Sequence, residues 1–97
     1  MLTKLPNKSH SRPILFSEEY GYGSTNMVTP EIMGFYEHGN IVVEISRGER
    51  PFHRGETLYG ISGVKMKDGK RIRMGKCSLS MIEAEEIALA MLNGKEV

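Results

Sequence analysis

The most informative segment of the chain is residues 57–76, TLYGISGVKMKDGKRIRMGK. Apolar and β-branched residues occupy both of its halves, and the central Asp-Gly pair is typical of a hairpin turn. The segment therefore predicts two antiparallel strands, one from about Thr57 to Met66 and one from about Arg71 to Lys76.

The turn between these strands can be placed in two ways. A two-residue loop of Asp68-Gly69 pairs Met66 with Arg71 and mixes apolar with basic residues on both faces of the hairpin. A three-residue loop, Lys67–Gly69 with its glycine in the left-handed conformation, separates them, and we predict this loop. The residues then expected to point inward are Val64, Met66, Ile72 and Met74. The residues then expected to point outward are Tyr59, Ile61, Lys65, Arg71 and Arg73.

A second hairpin is predicted before this one, from residues 32–37 and 41–46. The residues His38-Gly39-Asn40 between them tolerate the positive φ of a tight turn. Ile41, Val43 and Ile45 share one face by the two-residue period of a strand. Residues 47–55 interrupt the pattern and are predicted to form a basic loop.

The C-terminal segment predicts one helix from about Met81 to Asn93. Ser80 and Glu83 have the spacing of a capping box, and Gly94 stands where a C-terminal cap is expected. The predicted apolar stripe of this helix consists of Ala84, Ile87, Ala88, Met91 and Leu92. The fold class is therefore α+β, a four-stranded antiparallel sheet followed by one C-terminal helix.

The domain organisation follows from this pattern. Residues 31–97 are predicted to form a single β-β-β-β-α domain, and residues 1–30 an extended N-terminal arm. The arm contains apolar and aromatic residues, so we expect it to dock on the body or on a second copy, with one short strand possible at Ile14-Leu15-Phe16.

Composition bounds the class of protein. The 97 residues are 39% hydrophobic and 26% charged, and no apolar run approaches the roughly 20 residues of a membrane span. The start of the chain lacks the apolar core of a secretory signal, and Cys77, the one cysteine, cannot form an internal disulfide. These features predict a soluble cytoplasmic protein that does not contact membranes.

Sequence motifs for chemistry are lacking. The three histidines are scattered, and no metal, nucleotide-loop or nucleophile pattern occurs. Cys77 has no nameable base and is predicted to be a small buried residue between the last strand and the helix. We therefore predict neither catalysis nor a cofactor.

Charge is concentrated in one part of the chain. Residues 47–76 carry nine basic and three acidic side chains, a net charge of +6, whereas residues 1–46 and 77–97 carry −2 and −3. Solvated cations that protect an edge strand explain part of this. Cations that track phosphates, beside an aromatic that stacks on a base, explain more of it, because the loop cations lack an obvious acidic counterpart. The leading hypothesis is a regulatory protein that binds nucleic acid, with single-stranded DNA preferred over RNA, through a basic sheet face and the basic loop. Its candidate residues are Arg47, Arg50, Phe52, Arg54, Tyr59, Lys65, Lys67, Arg71, Arg73 and Lys76.

Residues 40–93 also resemble the PC4-like family of transcriptional coactivators. Its members carry a basic strand ending in Gly-Lys-Gly, an apolar residue, and Ser/Thr-Leu-Ser/Thr before the helix. Gly75-Lys76 and Ser78-Leu79-Ser80 match this pattern, whereas Cys77 replaces the second glycine and one residue between the motifs is missing. The resemblance implies a strongly curved sheet, a homodimer formed through the C-terminal helix, and single-stranded DNA lying across the sheet. Carried over by position, the phosphate contacts would be Lys65, Arg71, Arg73 and Lys76, and Tyr59 would stack on a base.

Two other classes of function remain open. One is a small protein-interaction module, for example a viral or plasmid-type regulator, whose basic loop binds an acidic protein partner. The other is a structural dimer whose basic sheet face is simply solvated. Nucleic-acid binding should weaken steeply with salt and tolerate many sequences, and the other two classes do not predict this.

Overall fold

The computed structural model describes residues 1–6 and 28–95. The elements in chain order are β1 (Val28–His38), β2 (Ile41–Glu49), β3 (Thr57–Lys67), β4 (Lys70–Ser78) and α1 (Met81–Leu92). They confirm the predicted fold class, a four-stranded antiparallel curved sheet followed by one C-terminal helix. β1 begins three residues inside the range predicted as an arm, and the strand considered at residues 14–16 lies outside the described residues.

The sheet is a meander in the order β1-β2-β3-β4, with each strand antiparallel to the next. The β1–β2 turn is the predicted Gly39-Asn40 pair, and Gly39 has φ +60°. Positive φ at the first central position alone is the pattern of a type II′ turn, which matches the twist of the flanking strands. β2 extends to Glu49, so the loop that follows it comprises residues 50–56 rather than 47–55.

The predicted register of the β3–β4 hairpin is wrong. Met66 lies opposite Arg71, and Lys67 lies opposite Lys70, so the turn is the two-residue loop. Asp68 has φ +52° and Gly69 has φ +75°. Positive φ at both central positions is the type I′ geometry that Asp-Gly favours and that fits the right-handed twist of a hairpin.

In the corrected register, Val64 and Met66 lie on the opposite face from Ile72 and Met74, with which they were predicted to share a face. The first face, on which α1 packs, carries Ile41, Val43, Ile45, Tyr59, Ile61, Lys65, Ile72 and Met74. The second face carries Phe35, Glu44, Ser62, Val64, Met66, Arg71 and Arg73. Ile61, expected to point outward, is therefore in the core, opposite Ile45, with none of its surface exposed. Apolar and basic residues coexist on each face of the β3–β4 hairpin because β4 is an edge strand and most of it is exposed.

The helix covers the centre of the first face. Every residue of the predicted apolar stripe is buried, and Ala84 and Ala88 are fully buried. Leu2 and Leu5, near the start of the chain, pack against the same core. The backbone of Leu2 exchanges two hydrogen bonds of 2.8 and 2.9 Å with the side-chain amide of Asn93. The first residues of the predicted arm therefore dock on the body.

Both ends of α1 are capped. Ser80 Oγ accepts a hydrogen bond from the Glu83 amide at 3.4 Å, which confirms the predicted N-cap. The Ser80 amide donates to Ser78 Oγ rather than to the Glu83 carboxylate, so only half of a capping box forms. Gly94 has φ +76°, and the hydrogen bonds from Gly94 and Lys95 to Met91 and Ala90 complete a Schellman motif.

The second face is also buried at its centre. Phe35, Glu44, Ser46, Ser62 and Val64 are each at most 6% exposed. Ser46 Oγ donates a long, 3.4 Å hydrogen bond to the Gly60 carbonyl oxygen. Both faces of β2 and β3 are therefore closed to solvent at their centre, whereas β4 is exposed along most of its length on both faces.

Gly63 allows a short distance between α1 and the sheet. A Cβ atom at this position would lie 3.1 Å from Met74 Cε, 3.2 Å from Met91 Sδ and 3.4 Å from Val43 Cγ2. Side chains of β2, β4 and α1 thus meet over a position that has no side chain of its own. A Cβ atom here would require these neighbouring side chains to move by a few tenths of an ångström.

Gly63→Ala is expected to destabilise the fold by about 1–3 kcal/mol, the usual cost of overpacking a core. Urea unfolding of the variant measures this. In a Met74→Val background, which removes the methyl group at 3.1 Å, the cost of Gly63→Ala should be smaller. An unchanged free energy of unfolding in Gly63→Ala would show that the packing of α1 on the sheet does not require a glycine at this position.

Tyr36 is a buried phenol on the first face. Burial raises its pKa above the ordinary 10.0, and the nearby charge of Glu85 adds to the shift. The fold therefore favours the neutral phenol, and this stabilisation is fully present below pH 10.0 and is lost as the pH rises through the folded-state pKa.

Tyr36→Phe should consequently lose less stability than the wild type when the pH is raised from about 9 to about 11. Chemical unfolding at several pH values in this window measures the difference between the two proteins. If the two stabilities fall in parallel, ionisation of Tyr36 is not coupled to folding.

Candidate nucleic-acid interface

Six cations lie together on the β3–β4 hairpin, and we call this surface the basic margin. Its members are Lys65, Lys67, Lys70, Arg71, Arg73 and Lys76. The same part of the chain contains one carboxylate, Asp68, so its net charge is +5. Lys65 is half-buried and the other five side chains are exposed. No described carboxylate forms an ion pair with Lys65, Lys67, Lys70 or Lys76.

The basic margin wraps around an edge of the sheet rather than covering one face. Lys65, Lys67, Lys70 and Lys76 lie on the first face, because the residues opposite one another in the register share a face. Arg71 and Arg73 lie on the second face, in line with Val64 and Met66. The sequence predicted Lys65, Arg71 and Arg73 on one outward face, and the two-residue turn separates them. Cations from both faces of the hairpin could therefore contact an extended anion that runs along β4.

Two of the three arginines predicted in the basic loop, Arg47 and Arg50 but not Arg54, form ion pairs with described carboxylates, contrary to the prediction. Arg47 forms an ion pair with Glu31 on β1, and Arg50 Nη1 lies 3.0 Å from Glu56 Oε1. His53 Nδ1 lies 3.7 Å from the other carboxylate oxygen of Glu56. The hydrogen bond to Glu31 raises the pKa of the Arg47 guanidinium, and an interaction with Tyr59 adds to this effect. Much of the positive charge in this region is thus compensated.

The loop is also distant from most of the basic margin. Residues 50–56 and the Asp68-Gly69 turn lie at opposite ends of β3. Eleven residues of strand separate them, which corresponds to roughly 33 Å at the usual rise per residue. The structure therefore does not bring the two predicted basic groups into one site. In the register, Lys76 is the member of the basic margin nearest the loop, and it lies opposite Ile61.

The two candidate aromatic residues differ in accessibility. Phe52 is fully exposed in the loop and has φ +64°, a conformation that is uncommon for a bulky residue. Tyr59 lies opposite Arg47 and Ser78 and packs partly against the core. Neither aromatic residue belongs to β4. The exposed apolar side chains within the basic margin are aliphatic, Ile72 and Met66, at 45% and 41% exposure.

An open groove of about 570 Å³ lies between β4 and the C-terminal end of α1. Lys65 and Lys95 supply its charged lining and Ile72 and Met74 its apolar lining, while Arg73, whose side chain lies on the second face, borders it at the edge of β4. None of the described carboxylates lines it. The sequence did not predict Lys95 as part of a site. The glycine cap after the helix was visible in the sequence, but the return of that end of α1 to β4 depends on tertiary packing.

The cysteine and the possible metal ligands were also candidates for chemistry. Cys77 is exposed rather than buried, because it lies on the edge strand opposite Gly60, which has no side chain to cover it. Among residues 1–6 and 28–95, no three His, Cys, Asp or Glu side chains are grouped so that they could hold a metal ion. No helix in this part of the chain is long and apolar enough to cross a membrane.

No protein-family profile, curated protein or solved structure matches this chain.

Proposed function

We propose that this protein binds single-stranded nucleic acid, DNA or RNA, along β4, with the basic margin contacting the phosphates. The observation that carries the proposal is the exposed edge strand with cations on both of its faces and one carboxylate in the adjoining turn. The role assigned to the chain is binding and regulation rather than catalysis.

The arrangement of the cations favours an extended polyanion. β4 is nine residues long, so its side chains are spread over roughly 27–30 Å of strand. A single strand of nucleic acid follows such a row of cations through its backbone and needs no base-specific contact. The buried centre of the second face argues against a strand lying flat across the sheet.

The simpler explanation of an exposed cationic edge is protection against pairing with another chain. Lysines alone serve that purpose. The margin instead includes Arg71 and Arg73, whose planar guanidinium groups can donate two hydrogen bonds to one phosphate. Like charges so close together also repel each other, and a polyanion would relieve that repulsion.

The first test compares an Arg71→Ala/Arg73→Ala variant with an Arg50→Ala/Arg54→Ala control. Fluorescence anisotropy of a labelled single-stranded oligonucleotide should show a steep loss of wild-type affinity with salt. The margin variant should bind at least about tenfold more weakly, and its plot of log K against log salt should be shallower by about 1.4, since each phosphate contact contributes about 0.7.

The control variant removes the same charge at the other end of the sheet and should keep most of the affinity. Circular dichroism of both variants establishes that they fold. Absence of wild-type binding at low salt, or an equal loss in both variants, would contradict a site on the basic margin.

A protein partner is the second candidate, and the position of β4 at the end of the sheet favours it. An acidic extended segment could add to such a strand, with its carboxylates facing the margin. A second copy of β4 is a poor partner, because pairing would oppose cations to cations. If the protein binds a labelled acidic peptide but does not bind oligonucleotides, this candidate is supported over the first.

We further propose a homodimer formed through the outward side of α1. Ile82 and Leu79 are 72% and 57% exposed at the start of the helix. Ile82 also lines a groove of about 290 Å³ with Leu5 and Leu89, and the rim of this groove is charged, with Lys4, Glu85 and Glu86. A second copy placed here would cover these apolar side chains and leave the basic margin accessible.

Ile82→Arg is expected to shift the protein from twice the chain mass of 10.9 kDa to the mass of one chain. Light scattering coupled to gel filtration measures this. Met66→Arg, which also places a cation at an exposed apolar position but lies far from the helix start, should remain dimeric. A monomeric wild type at micromolar to millimolar concentration would contradict the dimer.

A further inference from the structure

The groove between β4 and the end of α1 differs from the rest of the basic margin. It combines an apolar lining, Ile72 and Met74, with cations from two separate parts of the chain, Lys65 on β3 and Lys95 after the helix. A ligand that suits the groove therefore has one anionic and one apolar part.

The size of the groove is compatible with such a ligand. Its volume of about 570 Å³ lies within the 300–1,000 Å³ of ordinary small-molecule sites. Ile72 retains 45% of its surface exposed, and Met74 is half-buried with its terminal methyl directed toward Gly63. Both side chains thus present hydrocarbon to the groove, where a flat ring could make contact.

The residues that follow the C-terminal end of α1, Gly94 and Lys95, line the groove. The C-terminal end of a helix carries partial negative charge, which disfavours an anion next to it. Three of its last carbonyl groups, those of Leu89, Ala90 and Met91, already accept hydrogen bonds from the capping residues, and Lys95 adds positive charge at the same place. These features offset the negative charge of the helix end, so an anion is not repelled from the groove. A phosphate is expected beside Lys65 and Lys95, with the apolar part of the ligand against Ile72 and Met74.

We propose that this groove receives one unstacked base of a single strand whose phosphates lie on the basic margin. The inference rests on the proposed function and adds to it a site for a base. It accounts for single-stranded binding without an exposed aromatic on β4, because aliphatic side chains contact the face of a base in the groove. Bases of a duplex are already stacked on their neighbours and would not enter it.

The experiment compares two oligonucleotides of about twelve residues, a length within the site sizes of single-strand binders. One is oligothymidine, and the other has the same phosphates but abasic sugars throughout. Oligothymidine should bind about tenfold more tightly, which is in the lower half of the range for a stacked base because the contact is aliphatic. Ile72→Thr should reduce this ratio toward one and leave abasic binding nearly unchanged.

Met66→Thr is the matched control. Met66 has nearly the same exposure as Ile72 but lies on the opposite face of the hairpin, outside the groove, so the ratio in this variant should remain at the wild-type value. Thermal melts monitored by circular dichroism establish that both threonine variants fold.

The outcomes separate the two proposals. Equal binding of both oligonucleotides by the wild type would overturn the base site and leave phosphate binding intact. A ratio that falls equally in Ile72→Thr and Met66→Thr would also overturn it. Absence of binding to either oligonucleotide at low salt would overturn the proposed function together with this inference.

Discussion

The packing of α1 on one face of the sheet determines which surfaces of this protein are available. Ala84 and Ala88 let the helix approach closely, and Gly63 leaves room for the sulfur of Met91 above β3. The helix lies over the central strands, with Ile45 and Ile61 beneath it, so β4 remains at the margin of the covered area. A bulkier contact at any of these positions would move the helix and with it the groove beside β4.

Placement of β4 at the edge explains its composition. A strand with both faces exposed need not separate apolar from charged residues, and the first face of β4 carries Ile72 and Met74 between Lys70 and Lys76. The six cations of the basic margin therefore surround an edge instead of forming a flat patch. Such an edge suits contact with the backbone of an extended polyanion, whereas a flat, basic sheet face would suit bases laid across it. The PC4-like arrangement, with DNA across the sheet, remains a hypothesis on the sequence resemblance alone.

Much of the fold could be predicted from local sequence. The alternation at Ile41, Val43 and Ile45, the apolar stripe of the helix, and the signals at Ser80 and Gly94 are all local, and the structure bears each of them out. The β3–β4 register could not be predicted this way. The rule that one face of a hairpin is apolar assumes a half-buried strand, and sequence alone did not reveal that β4 is mostly exposed.

The candidate site was predictable only in part. The concentration of cations is visible in the sequence, but their partners are not. The ion pair between Arg47 and Glu31 depends on the β1–β2 register, which shifts irregularly near Ile32. Exposure of Cys77 depends on the glycine opposite it, and the contribution of Lys95 depends on where the helix ends relative to β4. Each of these contacts joins residues far apart in the chain, beyond the reach of local patterns.

The most direct measurement of the central claim is an NMR titration of the isotopically labelled protein with a short single-stranded oligonucleotide. The account predicts that the largest changes in amide chemical shift occur at residues 70–76 and at Lys95, with little change at residues 50–56. Changes centred on that loop or on the outward side of α1, or no change at low salt, would contradict binding along β4.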